Sequence, residues 1–202
     1  MKLYYSPGAC SLSPHIVLQE AGLAHELVFA STKTHKLQDG TDFYTINPLG
    51  YVPVLELDDG RRLTEGPAIV QYIADLVPDK QLVPAAGSYE RALVQSRLNF
   101  IGTELHKNFG PLFTPSSSEE VKTAAKDKLM NRFQFIEGLL AKDEYIANNQ
   151  FSVADAYLFV AASWAKYVGV GLSAFTQLQA FSARIGARPA VQAALKAEGL
   201  LK

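Results

Sequence analysis

Short apolar runs separated by turn residues occupy the first eighty positions, and apolar residues at helical spacing occupy the rest. Leu3-Tyr4-Tyr5 reads as a strand, Pro7-Gly8 as a turn, and the stretch up to a stop at Gly22 as a helix. Ser11 or Ser13 is placed to cap that helix, and Pro14 is tolerated in its first turn, where its missing N–H would have no intrahelical acceptor. Glu26-Leu27-Val28-Phe29-Ala30 is a second strand, followed by a polar, turn-rich stretch. Asn47-Pro48-Leu49-Gly50-Tyr51-Val52-Pro53 then feeds the strand Val54-Leu55-Glu56-Leu57. Asp58-Asp59-Gly60 predicts a hairpin turn into Arg61-Arg62-Leu63-Thr64. The next helix has Gly66 near its cap and Pro67 at its first position, with Ile69, Val70, Ile73 and Leu76 on one face.

From Tyr89 onward no strand pattern remains. A helix is expected over 89–109, broken by Gly110-Pro111, and another over 121–140 with Leu129, Phe133, Ile136 and Leu140 at core spacing. Phe151 opens a strongly apolar helix expected at the centre of this half. Ser152 and Asp155 have the spacing of a capping box, a structural role for both. The order β-α-β-loop-β-β-α followed by helices predicts an α/β domain over 1–80, a proline-rich connector over 81–88 and an all-α domain over 89–202.

Composition narrows the function. Of 202 residues, 48% are hydrophobic and 19% charged, so a folded globular protein is expected rather than a disordered one. Nineteen basic against twenty acidic residues leave a formal charge of −1, with no bulk attraction to nucleic acid or to an anionic membrane. The single cysteine excludes an internal disulfide, no cysteine and histidine cluster has zinc-ligand spacing, and a reducing cytoplasm fits best. Met1 leads straight into the first strand, so the mature chain is expected to begin there, and no apolar run is long enough to span a membrane.

The candidate chemistry begins at Cys10, the only thiol, at the start of the first helix. Amide groups and the helix dipole there favour negative charge and bias the thiol toward thiolate; the alternative is a small apolar residue packed under the turn. The position is similar to a thioredoxin-like redox site, but Cys10-Ser11-Leu12-Ser13 carries serine where a second thiol would stand, so any disulfide chemistry needs an external thiol such as glutathione. If the Val52–Pro53 bond were cis, Val52 would offer its backbone to an extended ligand; trans is the default. Glu65 and the amides of the following helix suit a ligand with an α-amino acid end, the side chain for the ammonium and the amides for the carboxylate. Asn99, Thr103 and His106 fall at i, i+4 and i+7 as a polar stripe beside Lys107, and His106 could deprotonate a thiol or stabilise its thiolate. Leu12, Phe109, Phe113, Tyr157, Trp164 and Tyr167 are candidate walls for an apolar pocket.

These residues together resemble a glutathione S-transferase of the bacterial Beta class. The resemblance runs from Pro7-Gly8-Ala9-Cys10-Ser11-Leu12 through Val52-Pro53-Val54-Leu55, Leu63-Thr64-Glu65-Gly66-Pro67 and Thr103-Glu104-Leu105-His106-Lys107 to Phe151-Ser152-Val153-Ala154-Asp155. It implies a thioredoxin-like N-terminal domain joined to a helical C-terminal domain, and a cytoplasmic homodimer. The implied enzyme attaches glutathione to small hydrophobic electrophiles in detoxification, with glutathione as co-substrate and no cofactor. It also implies a cis Pro53, with Val52 pairing to the cysteinyl part of glutathione and Glu65 and Gly66 holding the γ-glutamyl end. Asn99, Thr103, His106 and Lys107 match family positions near the site, and Cys10 matches the residue that contacts the glutathione sulfur. His35 stands where the family commonly has lysine against the glycine carboxylate, and Lys33 or Lys36 is an alternative partner. A histidine is mostly neutral at pH 7, so glutathione affinity is expected to strengthen as pH falls toward 6. Two further readings remain: glutathione-dependent thiol transfer with Cys10 as nucleophile, and non-catalytic carriage of hydrophobic ligands.

Overall fold

The apolar runs of the first eighty residues pair into one mixed sheet. In the computed structural model, which describes residues 1–201, strands β1 (Lys2–Tyr5), β2 (Glu26–Phe29), β3 (Val54–Glu56) and β4 (Arg62–Leu63) lie in the order β2-β1-β3-β4. β1 runs parallel to β2 and antiparallel to β3, with Tyr4 opposite Val54 and Leu3 opposite Leu55. Side chains alternate across a strand, so these two pairs serve opposite faces of the sheet. On one face Tyr4 and Val54 join Ala30, Phe43 and Val52 in a closed apolar cluster. Leu3 and Leu55 are fully buried on the other, each contributing about 1.5–3 kcal/mol by leaving water. A parallel β1–β2 pair needs a crossover, and α1 (Leu12–Ala21) supplies it; Gly22 ends that helix at φ 68°, a conformation that suits glycine. The hairpin between β3 and β4 turns at Gly60, whose N–H donates to the Leu57 carbonyl.

Helix α2 (Gly66–Asp75) buries Ile69, Val70, Ile73 and Ala74, while Leu76 is 45% exposed. The expected apolar face is thus carried by Ala74 in place of Leu76, because Leu76 already belongs to the cap, where the chain leaves the helix. Neither candidate serine caps α1 with its side chain. Ser11 occupies the cap position, but its hydroxyl accepts from Ser6 N–H and donates to the Ser6 carbonyl, closing the turn instead. Ser13 is buried within the helix.

Two compact units emerge, residues 1–83 with 188–201, and residues 84–187. The division corrects the expected all-α domain over 89–202, because α8 (Pro189–Ala197) and the tail after it belong with the sheet. Val191 and Ala194 of α8 are buried, and the helix packs on α1. Arg188 holds Glu20 through two bonds of 2.6 and 3.0 Å, and Glu198 accepts from Gly8 N–H at 2.9 Å and pairs with His15 Nδ1 at 2.8 Å.

The helical unit contains α3 (Tyr89–Phe100), α4 (Lys107–Phe113), α5 (Glu119–Leu140), α6 (Val153–Ser163) and α7 (Thr176–Gly186). The expected stop at Gly110-Pro111 is absent: α3 widens into a π-helical segment over Ile101–His106 and continues as α4 past Pro111. Side chains take up backbone carbonyls along the way, Thr103 Oγ1 donating to Asn99 and Asn108 Nδ2 to Glu104. Leu129, Phe133, Ile136 and Leu140 of α5 are buried, and α6 is buried along nearly its whole length.

Ser152 and Asp155 form a reciprocal capping box at the start of α6. The Asp155 carboxylate accepts from Ser152 N–H, Ser152 Oγ and Ile146 N–H. It is fully buried, and desolvation outweighs these three donors, raising its pKa from 3.8 to about 6. A folded-state value above the unfolded one means that the native state binds the proton more tightly. The resulting stabilisation is complete below about pH 4 and disappears as pH rises through 6, a span worth on the order of 3 kcal/mol. Denaturant titrations of wild type and Asp155→Ala should therefore show about 1.4 kcal/mol of this increment between pH 7.5 and 5 in the wild type alone. Equal slopes in both proteins would remove Asp155 as its source.

Candidate functional site

In the sheet unit, the turn between β1 and α1 brings Cys10 against the segment that enters β3. Cys10 Sγ donates to the Val52 carbonyl at 3.2 Å, and the Val52–Pro53 peptide bond is cis. Ser11 ties the turn to Ser6 from one side, and Glu198 holds Gly8 from the other. Both contacts fix the loop that presents the thiol. Burial of the sulfur pushes the Cys10 pKa from 9.0 up to about 12; the N–H groups of Cys10 and Ser11 act in the opposite direction, and the nearby Glu65 charge raises it further. The expected bias toward thiolate is therefore reversed. Amide donors do point at the sulfur, but loss of water costs the anion more than they return. Cys10 is a neutral thiol that gives a hydrogen bond.

Glu65 is exposed and precedes α2 with φ 67° and ψ 107°, an unusual backbone for a residue with a side chain. Such conformations cost on the order of 1–3 kcal/mol and gather at ligand-binding positions. The Glu65 carbonyl accepts from Ala68 and Ile69, leaving its side chain outside the helix cap. At Gly66 an added Cβ would meet Pro53 Cγ at 3.8 Å, an ordinary contact, so a serine there is sterically admissible. Cys10, Val52, Pro53 and Gly66 thus form one continuous line of contacts.

His35 lies on the approach to Val52. Its Nδ1 faces the Gly50 carbonyl at 3.0 Å and its ring stacks on Tyr44 at 4.8 Å, while Lys33 and Lys36 are exposed. Gly50 is required here: at φ 67°, a Cβ would come within 2.7 Å of the Tyr44 ring and 2.8 Å of His35 Nδ1. Asn47, singled out only as part of a turn, organises this loop. Buried to 5% exposure, it donates from Nδ2 to the Tyr51 carbonyl at 2.7 Å and accepts from Leu49 N–H. A buried asparagine beside Pro48 was the available signal.

In the helical unit the expected polar stripe divides. Asn99, Thr103 and Lys107 are exposed at successive steps of four, whereas His106 turns inward and is half-buried. His106 Nδ1 meets the Tyr157 hydroxyl at 2.6 Å, and its ring packs edge-on to Trp164 at 4.8 Å. Desolvation lowers its pKa below 6.5, so it is neutral at pH 7. The widened π-helical turn, which spacing arguments based on 3.6 residues could not anticipate, separates His106 from the stripe. Among the suggested pocket walls, Leu12, Phe109, Tyr157 and Trp164 are core residues, and Phe113 and Tyr167 are 51% and 65% exposed. A groove of about 490 Å³ elsewhere in this unit is lined by Phe159, Lys166, Leu172 and Gln179 among others, none of them a candidate residue.

Among the described residues, no group of three acidic, histidine or cysteine side chains is arranged to hold a metal, and no helix is long and apolar enough to cross a membrane.

Comparison with known proteins places this geometry in context. Residues 8–76 match the model of the glutathione S-transferase N-terminal domain, and residues 100–189 that of the C-terminal domain. The chain is 46% identical over 200 residues to the glutathione S-transferase GstA of Escherichia coli O157:H7, covering 99% of this chain and all of the relative. A bacterial beta class glutathione S-transferase of Sphingomonas chungbukensis superposes with a TM-score of 0.97 at 51% identity, covering both chains completely. A sphingomonad glutathione S-transferase solved with glutathione gives 0.96 at 50% identity, again over both whole chains.

Proposed function

This chain belongs to the glutathione S-transferase family and is a glutathione transferase of the bacterial beta class, and from that premise we propose that it conjugates glutathione to small hydrophobic electrophiles in detoxification, with Cys10 as a hydrogen-bond donor to the reacting sulfur. The observation that carries the assignment of Cys10 is its neutral thiol, whose single proton goes to the Val52 carbonyl in the free protein and becomes available to the glutathione sulfur when the cysteinyl N–H of glutathione takes that carbonyl. Such a group can stabilise a thiolate beside it without first losing a proton of its own. The chemistry is then ionisation of the glutathione thiol, release of the proton to solvent, and attack of the thiolate on an electrophilic carbon. The enzyme contributes placement and donors aimed at the sulfur.

Within this reading, the Val52 backbone pairs with the cysteinyl part of glutathione, and Glu65 and Gly66 receive its γ-glutamyl end. The unusual backbone of Glu65 supports that role. His35 takes the glycine carboxylate, with the exposed Lys33 and Lys36 as alternatives, and Asn99, Thr103, His106 and Lys107 also serve glutathione. No cofactor is needed. A cytoplasmic homodimer belongs to the same proposal. The reaction makes little use of Cys10 as a nucleophile, which sets the thiol-transfer reading second.

The test is conjugation of glutathione to an aryl halide by wild type and Cys10→Ala, with glutathione saturating for both. Loss of one donor should lower turnover by at most about a hundred- to a thousandfold and leave measurable conjugation. Complete loss in the variant would assign Cys10 an obligatory role and favour thiol transfer, and inactivity of both proteins would exclude aryl halides as the electrophile class.

A further inference from the structure

Small side chains leave room where α6 gives way to α7. Ala162 and Ser163 close α6, Ala165 follows in the 3₁₀ turn Trp164–Tyr167, and Ser182 stands on α7. Close packing elsewhere fills such space; here it stays open as a groove of about 490 Å³, lined by all four of these residues. Phe159 and Ser163 are the two residues of α6 that are not buried, and both belong to the groove, so the apolar central helix of this unit reaches the surface only there. Val170, Leu172 and Leu178 supply the rest of the apolar wall. Two of the polar side chains are spent on the backbone: Ser163 Oγ donates to the Val160 carbonyl at 2.7 Å, and Gln179 Nε2 donates to the Leu172 and Ser173 carbonyls. Lys166 is the only charged residue of the lining. Its ammonium lies 4.9 Å over the Tyr167 ring and has no carboxylate partner among the described residues. A second ammonium is close by, since a Cβ at Gly169 would stand 3.7 Å from Lys126 Nζ. Glu137 of α5 reaches the start of α7, but its carboxylate is taken up by the N–H groups of Gln177 and Leu178.

We propose that this groove binds a medium-chain carboxylate as a second ligand, with the hydrocarbon chain on Phe159 and Leu172 and the carboxylate on Lys166. The inference goes beyond the conjugation reaction, because no lining residue is a candidate for glutathione or for the electrophile, and the occupant is not a reactant. The volume lies within the roughly 300–1,000 Å³ of small-molecule sites, which pair apolar walls with a few placed polar groups. A carboxylate neutralises the ammonium at small loss, since a cation over an aromatic ring contributes little at an exposed site. A cationic amphiphile would meet Lys166 and Lys126 as like charges. Ala165 and Lys166 share their turn with Trp164, the only tryptophan of the chain, whose ring packs against His106 and Phe109. An occupant of the groove therefore lies beside a turn that carries its own reporter.

Equilibrium dialysis of the whole protein against radiolabelled decanoate, kept below its micellar concentration, measures binding, and Trp164 emission locates it. Wild type should take up one equivalent, with Trp164 emission changing at the same midpoint. Octanoate, two methylenes shorter, should bind about tenfold more weakly. Ser182→Phe fills the groove and should abolish uptake, with circular dichroism showing that the fold is native. Lys166→Glu should weaken decanoate by about fivefold or more and take up decyltrimethylammonium, which wild type should refuse, a reversal of charge preference that a damaged fold would not give. Saturating S-hexylglutathione should leave decanoate uptake unchanged. The proposal is overturned by the absence of saturable uptake in wild type, by uptake undiminished in natively folded Ser182→Phe, or by displacement with S-hexylglutathione. It is equally overturned if Lys166→Glu keeps the preference for the anion.

Discussion

Iodoacetamide should alkylate Cys10 of the glutathione-free enzyme about thirtyfold more slowly at pH 7 than it alkylates a cysteine of ordinary acidity. The magnitude comes from two opposed effects. A pKa raised from 9.0 to about 12 makes the thiolate, the only reactive form, about a thousandfold scarcer. A more basic thiolate is the better nucleophile, which recovers about thirtyfold. The rate should continue to climb about tenfold per pH unit up to pH 10, with no plateau near neutrality. Glu65→Gln should accelerate it, because the Glu65 charge is one of the causes that raise the Cys10 pKa. Mass spectrometry of timed samples measures all of this, and the single cysteine makes the assignment unambiguous. Alkylation at pH 7 as fast as that of a short cysteine peptide would show a Cys10 of ordinary acidity and remove the neutral-donor argument, and a faster rate would show an ionised Cys10 and restore thiol transfer to first place.

The second large effect is expected far from any substrate. Glu198→Ala should destabilise the protein by about 3–5 kcal/mol, since it removes one member of a buried, hydrogen-bonded pair. His15 and Glu198 both have side chains without solvent exposure, and the Glu198 carboxylate also receives Gly8 N–H, two residues before Cys10. His15 Nε2 has no partner among the described residues, so the loss at Nδ1 would leave the whole imidazole without an acceptor. A carboxylate of the same length cannot be replaced by alanine without opening a cavity as well. Urea denaturation measures the change, and glutathione affinity should weaken in the same variant because Gly8 helps to hold the Cys10 turn. An unfolding free energy within about 0.5 kcal/mol of wild type, the range of neutral surface substitutions, would show the pair to be dispensable.

What could be read from the chain alone follows the reach of each interaction. The β1 turn, the Asp-Gly hairpin and the Ser152–Asp155 capping box are built from neighbours, and their residue types suffice to announce them. Cys10, Val52 and Gly66 are dispersed over 56 positions, and it was the resemblance to a family that associated them. The chemical state of Cys10 escaped for a different reason: the helix terminus was visible, but the desolvation that overrules it depends on atoms brought in by folding. His106 was assigned to the wrong face because the projection assumed 3.6 residues per turn through a segment that is wider. Glu198 had no local signal at all, since its partners Gly8 and His15 lie 190 and 183 residues away.

That separation bears on how the protein is made. A ribosome adds about 5–20 residues per second, so Gly8 and His15 would emerge many seconds before Glu198 exists to receive them. The helical unit, residues 84–187, is continuous and available as a whole before the last helix is synthesised. The part of the chain translated first is therefore the part completed last, and the nascent sheet unit, with the side of α1 that α8 covers still open although α2 already packs on it, is where a chaperone would find apolar surface to bind.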